Sequence, residues 1–290
     1  MRIVLIGATG QLGADLLRNN GAHEIDAPAR DRLDLARPAE AAAYLRRARP
    51  DLAINCAAFH NVPLCETEPE QAFRVNCVAV RDLALACRDI GARLVTFSSD
   101  YVFRGDRRTP YAEDDAPGPV QMYGITRLAG ENAALAAAPE HAIVIRTCGL
   151  YGRSGAKSKG GNFVDKVLEL ARRESAFDMS CDQTVAPTST DDLARAVLAL
   201  IAHPGARPGV YHLVNEGQCT WHEFSRAIVE LAGLAAEVRP VDRGGRTGDM
   251  RRPLYSVLAN TRARALGIAL RPWRDALADY VAAKAAPRSA

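Results

Sequence analysis

The sequence predicts an α/β protein built on a doubly wound parallel sheet, and three observations carry that prediction. Short apolar runs alternate with stretches of helical periodicity over the first half of the chain. The opening run, RIVLI at 2–6, leads straight into GATGQLG at 7–13, a glycine-spaced turn followed by an amphipathic segment. A later apolar run, RLVTFSS at 93–99, ends in small polar residues, and in such sheets ligands gather at the carboxyl ends of strands.

The elements follow in order. RIVLI (2–6) reads as a buried strand and QLGADLLRN (11–19) as a helix. HEIDA (23–27) is a weak second strand, AEAAAYLRRA (39–48) a helix and LAIN (52–55) a third strand. Residues 69–91 form one long helix that stops at Gly91, a residue suited to a C-cap. The fourth strand is 93–99, followed by a helix over 123–137 and a fifth strand, AIVIRT, at 142–147. Beyond Thr147 the texture changes, and GLYGRSGAKSKGGN (149–162) is rich enough in Gly and Ser to require a loop. A helix over 163–173 and a weak strand near 177–179 follow. The helix over 189–202 opens with N-cap candidates, and a strand is expected at 209–215. The helix over 220–233 begins with Thr220 and Glu223 in capping-box spacing. A short helix (261–266) and an amphipathic one (273–284) complete the chain. The expected organisation is a sheet domain from 1–148 and 177–217, with a smaller substrate-binding lobe from 149–176 and 218–290.

Composition excludes several functions. A formal charge of +3 over 290 residues is too small for a nucleic-acid groove or a polybasic membrane face. Seven scattered cysteines without a C-x-x-C spacing argue against a disulfide framework or zinc site and suit a reducing compartment. No spacing for another metal is visible. The sequence shows no charged-then-apolar leader and no apolar run near the ~20 residues of a membrane span, so a cytoplasmic protein is expected. Only four of the 37 cationic residues are lysine, at 157, 159, 166 and 284.

The turn at 7–13 sits where a dinucleotide loop belongs, between a strand and a helix. Gly7 permits the tight turn, Gly10 lets backbone approach a pyrophosphate, and Gly13 lets helix and strand pack closely. Thr9, Gln11 and Leu12 complete the loop. The helix N-terminus then offers unpaired N–H groups to phosphate. An acidic residue at the end of the second strand would bind an adenosine ribose, but Asp26 falls early. Arg30 falls near the ribose edge, where it would pair with a 2′-phosphate or stand solvated. The expected cofactor is NADP(H), with NAD(H) still open, and Asp34 and Leu35 are placed to flank the adenine.

Ser99, at the end of the fourth strand, can hold a carbonyl oxygen by hydrogen bond. Tyr123, at the start of the next helix, can deliver a proton while a nicotinamide delivers the hydride. Arg127 lies four residues further on, hence on the same helical face. A cation there favours the phenolate and draws the tyrosine down from its ordinary value near ~10.

In this order the chain carries the glycine loop, NCAAF (55–59), VN (75–76), SSDYVF (98–103), YGITRLAGE (123–131), RTCGLYG (146–152), GGNFV (160–164), DQTVAPTSTDDLA (182–194), GVYHLVNEG (209–217) and RRPLYSVL (251–258). This set resembles the extended short-chain dehydrogenase/reductases, over nearly the whole chain, and within them the reductases of dTDP-4-dehydrorhamnose type. The resemblance implies a Rossmann-type fold and an NADPH-dependent reduction of a 4-keto group on a nucleotide-linked deoxysugar, with dTDP favoured; a homodimer is one open assembly. It gives Ser99, Asp100 and Tyr123 catalytic positions and places Arg127 where the family carries lysine. It adds Cys56, Ala57, Ala58 and Asn76 to the cofactor side. It adds His60, Val102, Phe103, Gly149, Asn162, Gln183 and Arg252 to the substrate side, Asp100 being shared with the catalytic set. Gly149 stands where the family often has tryptophan. A lone histidine such as His60 is more often structural, and Lys157 and Lys159 are equally readable as solvated or phosphate-binding. The acids at 113–115 are expected to face solvent. A 4,6-dehydratase is disfavoured because Tyr101 stands where an Asp–Glu pair needs glutamate, and a 4-epimerase fits the motif order less well. A non-catalytic NADP-binding protein of the same fold, like the regulatory β subunit of methionine adenosyltransferase, is the reading from another class.

Overall fold

The computed structural model describes residues 1–154, 161–248 and 250–285; Lys157 and Lys159 lie outside the described residues. Its centre is a six-stranded sheet in which every pairing is parallel. The strands are β1 (Arg2–Ile6), β2 (Glu24–Asp26), β3 (Leu52–Asn55), β4 (Arg93–Ser99), β5 (Ala142–Thr147) and a sixth, Gly209–His212. Their spatial order is sixth strand, β5, β4, β3, β1, β2. The chain therefore runs outward from β1 to β2, then returns to β3 on the other side of β1. That reversal opens a crevice at the carboxyl ends, where open α/β sheets bind ligands.

The helices are α1 (Gln11–Arg18), α2 (Pro38–Ala48), α3 (Val62–Thr67), α4 (Pro69–Phe73), α5 (Ala79–Ile90), α6 (Met122–Ala137), α7 (Phe163–Arg173), α8 (Thr190–Ala202), α9 (Trp221–Leu231), α10 (Thr261–Ala265) and α11 (Trp273–Ala285). Strand periodicity distributes them. Ile3 and Leu5 point to one face and pack with Leu12 and Leu16 of α1 and Leu193 and Val197 of α8. Val4 and Ile6 point to the other and pack with Leu45 of α2, Leu83 of α5 and Ala134 of α6. A third cluster gathers Tyr151, Val167 of α7, Phe224 and Ile228 of α9, and Leu277 and Tyr280 of α11. No helix of the described residues is long and apolar enough to cross a membrane.

Several local expectations need correction. The helix expected over 69–91 is interrupted by a π-helical turn at Arg74–Val78, between α4 and α5. Wide turns of this kind recur at functional sites, and here Asn76 lies in the turn. The stretch 149–162 is not all loop, because Leu150–Tyr151 pairs with Thr188–Ser189. The weak strand near 177–179 is the longer Ala176–Ser180, paired in parallel with Glu237–Val241, which carried no strand expectation. The capping box at Thr220 and Glu223 is present. Glu113 does not face solvent: it is buried and accepts hydrogen bonds from the backbone N–H groups of His212 (3.2 Å) and Arg262 (3.0 Å). Buried donors need acceptors, which keeps the carboxylate inside. Asp115 pairs with Arg107 and Asp114 with Arg262.

Two residues inside the quoted motifs turn out to bind each other. Glu131 of α6 and Arg146 of β5 form a buried ion pair at 2.7 Å, with Arg146 Nε donating to both carboxylate oxygens at 3.0 and 3.1 Å. Beside it His212 is held neutral, its ring lowered to about 3 by burial first and by the Arg146 charge second. Breaking one partner strands a buried charge. Glu131→Ala is expected to destabilise the fold by about 3–5 kcal/mol, read from urea unfolding midpoints at unchanged slope.

Candidate active site

The glycine turn is built as its spacing demands. Gly7 has φ of 80°, and a Cβ there would sit 2.8 Å from the backbone nitrogen of Ala57. Gly13 faces the carbonyl of Gly7 so closely that a side chain has no room. Gly10 caps α1 without a side-chain hydrogen bond, and no acid stands in the first turn. The N-terminal N–H groups are left available to an anion, which the positive end of the helix favours.

Two glycines of α6 position the catalytic candidates. Gly124 brings the start of the helix against the carbonyl of Tyr101, and Gly130 brings its middle against the carbonyl of Asn76. Side chains at either place would push the helix away from these two turns. Gln121 caps the helix, its Oε1 accepting from Gly124 N at 2.7 Å. Tyr123 thereby stands beside Tyr101, ring centroids 6.1 Å apart and edge to face.

Ser99 ends β4, and its hydroxyl donates to Asp100 Oδ1 at 2.8 Å while accepting from Tyr101 N at 3.2 Å. Asp100 is buried, and its Oδ2 accepts from Ser256 Oγ at 2.5 Å and Cys148 Sγ at 3.1 Å. Burial pushes the Asp100 carboxyl up, and these donors hold it partly back. Arg252 donates from Nη1 to the Tyr101 hydroxyl at 2.7 Å.

Arg127 is buried, and its guanidinium lies 5.9 Å from the centre of the Tyr123 ring. Its Nη2 donates to the Phe97 carbonyl in a very short contact, and its Nη1 donates to Asn76 Oδ1 at 3.4 Å. The expected lowering of the Tyr123 phenol does not prevail. Burial raises it above its ordinary value, and the Arg127 charge pulls it only part of the way back. Desolvation of a phenolate outweighs a single cation at this distance.

A cavity of about 550 Å³ joins these parts. Thr9, Gly10, Gln11, Leu12 and Gly13 line one end, with Cys56, Ala58 and His60 along one wall. Ser99, Asp100, Tyr123 and Arg127 stand in it, and Gly149, Asn162 and Arg252 also face it. Other expected residues lie elsewhere. Val102 and Phe103 are fully buried in an apolar cluster, Phe103 stacked on Tyr111 at 4.2 Å. Gln183 is buried away from the cavity lining, and Leu35 belongs to the core beneath α2. Asn76 turns its carboxamide to the backbone of Phe59, accepting from its N–H at 2.9 Å and donating to its carbonyl at 3.0 Å. Arg30 is 80% exposed and its Nε pairs with Asp34 at 3.3 Å. Gly7 and Ala57 shape the turn without lining the cavity.

The cavity also holds residues not singled out from sequence, among them Tyr101, Thr147, Cys148, Phe163, Lys166 and Trp221. Thr147 and Cys148 carried a usable signal, since they lie at a strand's carboxyl end. Lys166 and Trp221 carried none, because they come from helices remote in sequence from the sheet.

Sheet order, crevice and glycine turn are those of an extended short-chain dehydrogenase/reductase. The family model for the RmlD substrate binding domain matches residues 1–286. The chain is 40% identical over 287 residues to a dTDP-4-dehydrorhamnose reductase of Mycolicibacterium smegmatis, covering 97% of this chain and 85% of that one. It is 37% identical over 280 residues to a dTDP-4-keto-6-deoxy-D-glucose reductase of Streptomyces niveus, covering 95% of each. The crystal structure of dTDP-4-dehydrorhamnose reductase from Bacillus anthracis in complex with NADP superposes with a TM-score of 0.90 at 31% identity, over 97% of this chain and 99% of that one. The chain belongs to the RmlD substrate binding domain family.

Proposed function

We propose that this protein uses NADPH to reduce the 4-keto group of a dTDP-linked 6-deoxysugar. The observation that carries the reading is the single cavity connecting an uncapped, glycine-lined helix N-terminus to Ser99 and Tyr123. The relatives named for dTDP-linked 4-keto sugars and the NADP-bound solved structure support both halves. Backbone N–H groups at Gly10–Gly13 fit a pyrophosphate, with Cys56 and Ala58 along the wall beside it. When bound, NADPH supplies the hydride to the carbonyl carbon.

The chain's own residues do the rest. Tyr123, kept protonated by burial, gives its proton to the carbonyl oxygen as the C=O becomes CH–OH. Ser99 steadies that oxygen once its hydroxyl swings from Asp100 to the substrate, a rotation about one bond. Arg127 sets the charge behind Tyr123. In this reading residues 1–148 with 177–217 serve the cofactor and 149–176 with 218–290 the sugar, while Ala263, Ile268 and Leu270 of the latter pack into the core of the sheet. Free thiols at all seven cysteines suit a cytoplasmic setting.

The test is NADPH oxidation, followed by absorbance, against a panel of 4-keto nucleotide sugars. Turnover with a dTDP-linked member is expected. Cofactor binding with no sugar reduced would instead favour an NADP-binding protein without turnover. One observation speaks for that second reading, the commitment of Arg127 donors to Phe97 and Asn76.

Cofactor choice gives a separate prediction. Arg30 is solvent-exposed beside Asp34, outside the cavity lining and engaged by a weak surface pair. Arg30→Ala is expected to weaken NADP binding about tenfold, or about 1.4 kcal/mol, and leave NAD binding unchanged. Calorimetry with both cofactors decides; equal loss for both would deny Arg30 a role at the 2′-phosphate.

A further inference from the structure

We propose that Trp221 is the plate on which the apolar face of the substrate sugar stacks, and that Gly149 is glycine to make room for it. The proposal rests on reading the cavity as a nucleotide-sugar site. Trp221 is half-buried and lines the cavity beside Gly149, Phe163 and Asn162. Phe163 supports the indole, centroids 4.6 Å apart, and Phe224 meets it at 6.2 Å. An aromatic ring backed by other rings and open to a cavity presents a rigid apolar surface, at little entropic cost to a ligand.

The backbone fixes the plate. Trp221 is the first residue of α9, directly after the Thr220 cap, whose hydroxyl accepts from Glu223 N at 3.1 Å. Cys219–Thr220 pairs with Thr184–Val185, which ties the helix start to a strand. Opposite stands Gly149, with φ of 54°. A Cβ there would lie 3.3 Å from Trp221 Cη2 and 3.2 Å from Pro187 Cα. The neighbours on that side are a backbone atom and the indole itself, so a side chain at this left-handed position would press on the ring, which would have to give by a few tenths of an ångström.

Position says what the plate meets. Gly149 lies two residues beyond Thr147, the register partner of Ser99. Cys148, between them, donates to Asp100. Trp221 therefore stands near the Ser99–Asp100 end, where the reacting carbon must lie. That end of the site takes the sugar rather than the base.

The chain has two tryptophans, and Trp273 lies against Phe224 at 5.6 Å, outside the cavity lining. A Trp273→Phe protein makes Trp221 the sole indole reporter. It would be titrated with dTDP and with dTDP-glucose, following fluorescence and calorimetry in parallel. Fluorescence should change on saturation with dTDP-glucose and stay flat with dTDP. In turnover with a 4-keto sugar, Trp221→Ala should raise KM about tenfold with kcat within about threefold, and Trp221→Phe should recover most of that loss. Binding of dTDP-glucose by calorimetry with unchanged fluorescence overturns the plate and leaves the cavity reading standing. An equal response to dTDP alone overturns it too, by assigning the ring to the nucleotide. Absence of calorimetric binding to either ligand removes the cavity reading and the plate with it. The fluorescence arm keeps the indole in place, so it decides even if Trp221→Ala fails to fold.

Discussion

Tyr123→Phe is expected to lower kcat by about two to four orders of magnitude while NADP affinity stays within about twofold. The hydroxyl is the only part removed, and the ring keeps its edge contact with Tyr101. Proton delivery is lost, whereas the glycine turn that holds the phosphates is untouched. The pH profile adds a check on sign. Burial raises the Tyr123 phenol above its ordinary value, so the acid form persists across neutral and mildly alkaline pH. Reduction by the wild type should then show no loss assignable to Tyr123 until pH rises beyond that ordinary value. A Phe variant that turns over at the wild-type rate would place the acid elsewhere.

Arg127→Lys is expected to slow reduction by about tenfold to a hundredfold, although the sequence resemblance implies lysine at this position. The guanidinium is built into the wall: it donates to the Phe97 carbonyl and to Asn76. A lysine at this buried site has one nitrogen for two separated acceptors, and a lost charged hydrogen bond costs about 1.5–3 kcal/mol. Arg127→Ala should cost more, since it also removes the charge that opposes the upward shift of Tyr123. Single-turnover rates and NADPH affinity for both variants provide the measurement. A lysine variant faster than wild type would show that arginine only approximates the family arrangement.

The sheet was legible because parallel strands buried on both faces read as apolar runs, and the glycine turn named its own partner helix. Ser99 and Tyr123 were legible for a related reason, one ending a strand and the other opening a helix, whereas Asp100 was singled out through the family resemblance. What sequence hid depends on approach between distant segments. Val102 and Phe103 look like cavity residues from their motif, but Tyr111 and the 255–258 stretch close over them. The π-helical turn left no trace in an otherwise continuous helical pattern. The strand at 176–180 read only as a weak one, and its partner at 237–241 has too few apolar alternations to declare itself. Arg127 was visible, but its hydrogen bonds to β4 and the π turn were not, and they change what a lysine there is expected to do.

Gly124 and Gly130 hold α6 at two backbone contacts, one at each end of the catalytic pair. Tyr123 and Arg127 thus ride on a helix that can neither slide nor tilt without a collision. Retuning this protein toward another sugar cannot proceed by moving the proton donor. It must reshape the opposite wall, at Gly149, Trp221 and Arg252, while the chemistry stays at a fixed address. A library confined to those three positions should yield altered substrate range with the reduction step intact, whereas diversity along the inner face of α6 should yield mostly inactive protein.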